Sequence, residues 1–255
     1  MAAVRKPRRQ PPDRREPSTG LRARWERIYR ERSDRELSWY QPDLSLSEKL
    51  IARYATFESR ALDAGGGSSS LSRKLLRAGF RHVTVVDIAA AGLRRGGGGP
   101  ALEAPRRIRA DLLRQPALGT VDVWHDRAVF HFLVRANDRR SYVTLVEHSV
   151  RSGGLVIVAT LATEGPRACS GLPVRRYDAN GLARVFGRHF VKVRSVREIH
   201  RTPWGVSQSF TYVVLRQANV GDRGRNRLSP RREKPRSQLQ ATRRRQPARP
   251  RRPLR

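Results

Sequence analysis

The apolar positions of this chain follow two rhythms that alternate through its middle. Short runs such as RALDA, HVTVVD, VDVWHD and LVIVATL are rich in apolar and β-branched residues, the pattern of strands covered on both faces, and RRIRAD reads as a further strand between them. The stretches between them keep a helical spacing. In SSLSRKLLRAGF, Leu71, Leu75 and Leu76 point inward and Gly79 supplies a stop, while AAAGLRR and DRRSYVTLVEHSVRSGG read as further helices, the latter capped. A flexible Gly96–Gly99 tract separates the second of these helices from the third strand. Strands alternating with helices predict a parallel sheet with right-handed crossovers.

The two ends of this core follow different patterns. From Leu21, the segment LRARWERIYRERSDRELSWY sets Trp25 and Ile28 on one helical face with Tyr29 beside it. In QPDLSLSEKLIARYA, Ser45 or Ser47 is placed to cap a second helix bearing Leu50 and Ile51. Past Thr160 the rhythm changes again: DANGLARVF reads as a last helix, and HFVKVRSVREIH and QSFTYVVLR as strands joined by the turn-rich RTPWGVS. The expected architecture is therefore α/β, a seven-stranded sheet that is mostly parallel with an antiparallel C-terminal strand pair.

Composition sets the limits of that core. Residues 1–20 and 218–255 are rich in Arg, Pro, Ser and Gln and almost free of large apolar residues, so both read as disordered tails around a single domain over residues 21–217. The formal net charge is +32, enough to attract phosphate backbones without sequence preference. Much of it lies in the tails: the segment from Ala218 has 14 basic and 2 acidic residues, and Met1–Thr19 has 6 and 2. Blocks of like charge are commonly solvated and disordered, and the excess of Arg over Lys also fits a compositional bias. Non-specific nucleic-acid contact through the tails is the functional alternative.

One cysteine, Cys169, allows neither an intramolecular disulfide nor a cysteine-only zinc cluster. No apolar run approaches the roughly 18 residues of a membrane span, and the proline-rich basic leader is a poor transit helix. A soluble, cytoplasmic protein with no membrane partner is expected.

The chemistry concentrates in ALDAGGGSSSLSRKLL, a strand running through three glycines into a helix. Glycines there permit a sharp turn and close approach of a ligand to the main chain, and amides at the helix start can meet an anionic group. Asp87, 24 residues after Asp63, ends the next strand, where a carboxylate can accept both hydrogens of a ribose diol. A dinucleotide fingerprint needs a small third glycine or alanine where Ser70 stands, and the phosphate-loop pattern is absent.

At these residues the chain resembles the class I S-adenosylmethionine-dependent methyltransferases, whose first motif, D-x-G-x-G, is matched by Asp63, Gly65 and Gly67. A further small residue common in that motif is Ser69 here, a mild departure. The resemblance implies a Rossmann-like fold, S-adenosyl-L-methionine as cofactor, and cofactor contacts at Asp63, Gly65, Gly67, Asp87 on the ribose and Asp111 near the adenine amino group. It extends to VDVWHDRAVFHFL and GGLVIVATL, similar to an uncharacterised bacterial subgroup; Asp126-Arg127 is similar to the Asp-Arg or Asp-Lys of thiopurine and some protein-lysine methyltransferases. The segment SWYQ resembles their cofactor-covering lid, which implies roles for Trp39 and Tyr40, with Gln41 beside them. In all it covers roughly Trp25–Arg216.

In this fold the end of the fourth strand faces the methyl group, so His125, Asp126, Arg127 and His131 are the expected acceptor contacts, with Asp126, Arg127 and His131 as catalytic candidates and His131 as a base near neutral pH. The opposing readings are a strand-end ion pair for Asp126 and Arg127, and a packed core histidine for His131. Two later loops, one with Cys169, Ser170 and Gly171 and one with His200, Thr202 and Gln208, could border the acceptor pocket. The acceptor itself is a small molecule or a protein side chain. A nucleic-acid base amine is disfavoured, because WHDRAV stands where a D/N-P-P-Y/F/W tetrad would be needed. A nicotinamide-dependent oxidoreductase and a non-catalytic RNA-binding module are the competing classes. Neither a metal nor an oligomeric state is indicated.

Overall fold

The computed structural model describes residues 18–96 and 104–219. Most of the glycine tract and nearly all of both expected tails lie outside these residues. In chain order the elements are helix α1 (Ser18–Glu31), α2 (Ser45–Tyr54), strand β1 (Arg60–Ala64), α3 (Leu71–Arg77), β2 (His82–Asp87), α4 (Ala90–Arg95), β3 (Arg106–Arg109), β4 (Val121–Arg127), α5 (Ala136–Ser149), β5 (Val150–Leu161), β6 (Ala168–Cys169), β7 (Leu172–Pro173), α6 (Ala179–Phe186), β8 (Phe190–Arg201) and β9 (Ser207–Gln217).

Seven strands form one sheet in the order β3-β2-β1-β4-β5-β9-β8. The first five pair in parallel, whereas β9 runs antiparallel to both β5 and β8. From β1 the chain winds outward through β2 and β3, then returns to begin again at β4 on the other side. That reversal opens a crevice at the C-terminal ends of β1 and β4, the place where open α/β sheets bind ligands.

Side chains alternate between two helical layers, as a doubly covered sheet requires. Leu62, Trp124, Val156, Val158 and Val213 pack on one face with Tyr142 and Val146 of α5 and Leu182 and Phe186 of α6. Ala61, Val123, Ile157 and Tyr212 pack on the other with Leu50 and Ile51 of α2 and Leu71 and Leu75 of α3. Leu76 is only half-buried, and Gly79, at φ +103°, ends its helix as expected. A third, smaller cluster joins Ile28 and Tyr29 of α1 to Ala89 and Ala91 at the start of α4.

Several local expectations are corrected. Helix α1 starts at Ser18, ahead of Leu21. Neither Ser45 nor Ser47 caps α2: the cap position is Leu44, without a side-chain bond, and Ser47 is buried instead. Helix α5 likewise has no side-chain cap; it ends at Ser149 and runs straight into β5, so that VRSGG, expected within the helix, belongs to the strand. The sequence also gave no sign of the hairpin β6–β7, whose turn residues Ser170 and Gly171 have φ of +52° and +71°. At the far edge, β8 exposes Val191, Val193 and Ile199. Among the described residues no helix is long and apolar enough to cross a membrane.

Packing around Trp124 shows how closely this core is specified. The indole is fully buried, its Nε1 donates to the Tyr142 hydroxyl at 2.9 Å, and that hydroxyl donates to the Asp126 carboxylate. Tyr142→Phe would strand both partners at about 1–3 kcal/mol, so thermal unfolding of the variant should begin several degrees lower, by about 2–10 °C for a domain of this size. An unchanged melting temperature would show that the network carries no stability.

Candidate functional site

The crevice is built on the loop after β1. Gly65 and Gly67 adopt φ of +68° and +45°, conformations costly to any residue with a Cβ. Space is as restrictive as conformation: a Cβ on Gly65 would lie 2.1 Å from Val129 Cγ2, and one on Gly67 would lie 2.1 Å from the Tyr29 hydroxyl. Tyr29 reaches the loop from α1, accepts a hydrogen bond from the Ser68 amide, and packs its ring where a Cβ on Gly92 of α4 would stand. Glu26, one turn earlier, accepts from the amides of Ala90 and Ala91 at 2.8 and 3.1 Å, capping α4 from outside it. Helix α1 is thus fastened across the glycine loop.

Asp87 ends β2 inside the crevice, its carboxylate accepting from the amides of Ala89, at 2.7 Å, and Gly67. Burial pushes it up to about 7, with the Asp63 charge adding to the rise. Asp111 accepts from the Leu113 amide at 2.9 Å and, with Ile88, Ala110 and Leu112, lines the same cleft. The cleft passes from Asp87 and Gly65 to Arg127, Trp25, Trp39 and Phe132. A second cleft, bounded by Tyr40, Gln41, Asp63, Gly66, Ser69 and His125, shares Trp39, Gly65 and Arg127 with the first. The expected cofactor contacts Asp63, Gly65, Gly67, Asp87, Asp111, Trp39 and Tyr40 therefore converge on one region, six of them directly lining these clefts and Gly67 turning the loop between them.

Beneath the loop runs a buried polar chain. Asp63 Oδ1 lies 2.8 Å from His125 Nδ1, and His125 Nε2 lies 2.9 Å from Ser47 Oγ. A carboxylate can only accept, so His125 Nδ1 donates to Asp63. Ser47 in turn sits 3.4 Å from the Tyr212 hydroxyl, which donates to Glu198 at 3.1 Å. His125 is therefore a strut between β1 and α2 rather than an exposed acceptor contact. The other oxygen of Asp63 is buried and has no hydrogen-bond partner in the protein; a ligand donor beside the glycine loop would satisfy it.

The three catalytic candidates separate in this geometry. Asp126 is wholly buried, accepts from the amides of Val129 and Phe130 at 3.1 and 3.2 Å as well as from Tyr142, and lines neither cleft. Burial raises it to about 6. Its bonds hold the turn that presents Val129 to Gly65, a turn in which Ala128 takes the left-handed φ of +67°. Arg127 lines both clefts and bonds the Trp39 carbonyl through Nη1 at 2.9 Å and the Tyr212 hydroxyl through Nε at 3.1 Å. His131 is wholly buried; the Leu161 amide donates to its Nδ1 at 3.3 Å, and burial, then the Arg127 charge, lowers it to about 3. With Nδ1 occupied, the neutral ring offers a donor at Nε2 and no base.

The two later loops meet the SWYQ segment at Ser38. Cys169 Sγ lies 3.5 Å from Ser38 Oγ, and His200 Nε2 lies 2.8 Å from the Ser38 carbonyl. Burial pushes the Cys169 thiol up and lowers His200; Thr202 and Gln208 are buried. Sequence reasoning missed Tyr29 as a loop contact and Ser47, Glu198 and Tyr212 as members of the polar chain. Their partners lie up to 165 residues away, and no local pattern marks them.

The collision at Gly65 can be measured. Gly65→Ala should destabilise the protein by about 1–3 kcal/mol through strain and overpacking. Adding Val129→Ala should restore part of that loss. Two effects that simply add in a double-mutant cycle would place the cost in the backbone alone.

No protein-family model matches the chain, and no curated protein does either. Solved structures do. The 1,6-didemethyltoxoflavin-N1-methyltransferase of Burkholderia thailandensis, with 1,6-didemethyltoxoflavin and S-adenosylhomocysteine bound, aligns with a TM-score of 0.63 at 20% identity over 85% of this chain and 94% of its own. An S-adenosylmethionine-dependent methyltransferase from Anabaena variabilis gives 0.62 at 12% identity over 85% and 99%. The magnesium protoporphyrin IX methyltransferase of Synechocystis, with S-adenosylmethionine bound, gives 0.55 at 16% identity over 79% and 92%. The chain has the fold of the class I S-adenosylmethionine-dependent methyltransferases.

Proposed function

We propose that this protein is an S-adenosylmethionine-dependent methyltransferase acting on a small-molecule or protein acceptor, its enzymatic domain being residues 21–217. The observation that carries the reading is the glycine loop at the strand-order reversal, whose cleft also contains Asp87 and Asp111. The residues fit such a ligand: Gly65 and Gly67 leave room beside the main chain, Asp87 can accept from a ribose diol, Asp111 stands by an apolar slot for a purine, and the orphaned oxygen of Asp63 can take an ammonium.

The cofactor would supply a methyl group on a positive sulfur. The protein's contribution is alignment and dryness, because in-line displacement needs a nucleophile held within van der Waals reach and water kept out. Trp25, Trp39 and Phe132 wall the cleft for that purpose, and Arg127 joins the wall to the end of β4. Asp126 acts as a positioning residue through Val129 and Phe130. A lone buried cysteine, Cys169, suits a reducing cytoplasm.

Calorimetric titration tests the reading: S-adenosylmethionine and S-adenosylhomocysteine should bind and NAD should not. Binding of NAD alone would overturn it. The raised Asp87 also fixes a pH dependence. Its ionised form accepts the ribose hydrogens, so affinity for S-adenosylhomocysteine should rise as pH climbs through about 7 and level off above it. In the ligand-free protein the sign is opposite: protonated Asp87 favours the fold, and that stability is lost as pH rises from the ordinary carboxylate range towards about 7. Asp87→Asn should weaken binding by about tenfold or more, as loss of a charge-assisted hydrogen bond implies, and should abolish the pH step. A variant that kept both affinity and step would place the ribose elsewhere.

A further inference from the structure

The polarity of the β8–β9 hairpin is inverted where it leaves the sheet. Strand β5 ends at Leu161 opposite Phe210, whereas β8 and β9 go on pairing as far as Arg201 and Ser207, so the hairpin overhangs the sheet at the end where the clefts open. On its inner side His200, Thr202 and Gln208 are at most 8% exposed. His200 Nε2 donates to the Ser38 carbonyl at 2.8 Å, which pins this side to the segment beside the clefts. Ile199, Trp204 and Val206, by contrast, are between 53% and 64% exposed. The turn that displays Trp204 is closed by three bonds: the Thr202 amide donates to the Val206 carbonyl at 2.9 Å, the Gly205 amide to the Thr202 carbonyl at 2.8 Å, and the Val206 amide to Thr202 Oγ1 at 3.0 Å. Arg201 is exposed and, two residues from Ile199, shares its outer face.

Single apolar side chains on a surface are ordinary. An element with its polar residues inside and its apolar ones outside is not, and an anchored turn gives the apolar residues no way to fold inward. Their partner must accept both apolar surface and positive charge, since Arg201 stands on the same face and the chain carries a formal +32. A second copy brings the same charge and is repelled. A nucleic acid offers phosphates to Arg201 and a base to Trp204, but leaves Ile199 and Val206 in water. The surface of an anionic bilayer suits all of them: phosphates for the guanidinium, the headgroup boundary for the indole and acyl chains for the aliphatic pair. We propose that the β8–β9 hairpin docks on an anionic lipid surface through Ile199, Arg201, Trp204 and Val206. Such contact needs no spanning helix, and the expectation of no membrane partner, which came from the lack of a spanning run, reaches only that case. It is also independent of the methyltransferase reading, because none of these residues lines either cleft.

Sedimentation of the full chain with vesicles of phosphatidylcholine, alone or mixed equimolar with phosphatidylglycerol, tests the proposal. The natural chain should sediment with the anionic vesicles. The double variant Ile199→Ser/Trp204→Ser should need about tenfold or more lipid for the same bound fraction, as the loss of two inserted apolar side chains implies. Both residues are exposed, so the melting temperature should hold. The basic tails are identical in the two proteins, and their own attraction to lipid cancels in the comparison. Acyl chains carrying bromine then locate the indole: they should quench part of the tryptophan fluorescence of the natural chain, and Trp204→Phe should lose that quenching while still sedimenting. Equal sedimentation of the natural chain and the double variant would assign the attraction to the tails and overturn the proposal. So would no binding to anionic vesicles, or quenching that survives in Trp204→Phe. Weaker binding of the double variant to single-stranded oligodeoxythymidylate, with vesicle binding intact, would overturn it in favour of a nucleic-acid surface. If the double variant fails to fold, the quenching of the natural chain against Trp204→Phe decides alone.

Discussion

A single guanidinium, buried where β4 ends, holds the layers of this molecule in register. Arg127 bonds the Trp39 carbonyl on the segment between α1 and α2, the Tyr212 hydroxyl on β9, and through the longer ion pair Glu198 on β8. Such a charge is expensive to bury and tolerable only when paired. The N-terminal segment therefore cannot lift from the sheet without exposing or orphaning it. Tyr29 and Glu26 make the same connection on the opposite flank, one on the glycine loop and the other on α4. The glycine-loop cleft and the helix across it are thus parts of one mechanical unit.

That unit divides the labour of the buried acids. Asp126 spends its oxygens on the protein's own amides and on Tyr142, and so shapes the turn. Asp63 gives one oxygen to His125 and keeps the other without a partner, while Asp87 is raised by burial at the cleft wall. Three carboxylates within one switch point thus have three environments, and only the last two can serve a ligand.

How much of this is written in local sequence depends on the range of the interaction. Four of the five parallel strands are legible because burial leaves apolar runs, whereas the edge strand β3 is exposed at three of its four positions; the glycine loop and Asp87 are legible because a crossover fixes their spacing. Helix caps were misread for the opposite reason. Ser47 has the chemistry of a cap, yet its hydroxyl is claimed by His125, 78 residues away; α4 is capped by Glu26 of another helix. His131 illustrates a subtler gap: the sequence offers a histidine near the site, and only the Leu161 amide, with the burial around it, makes that ring a donor instead of a base.

The outer strand of the sheet bears on the chain's basic character. Among the described residues β8 has no partner on its far side, and it is 12 residues long with Val191, Val193 and Ile199 exposed. An edge of that length invites pairing with a neighbouring molecule, and long cationic side chains are a common deterrent. Lys192, Arg194, Arg197 and Arg201 recur along it, and a bulge at Val193 breaks its register with β9. Positive charge placed along this edge sets like charges against a second copy of the same strand.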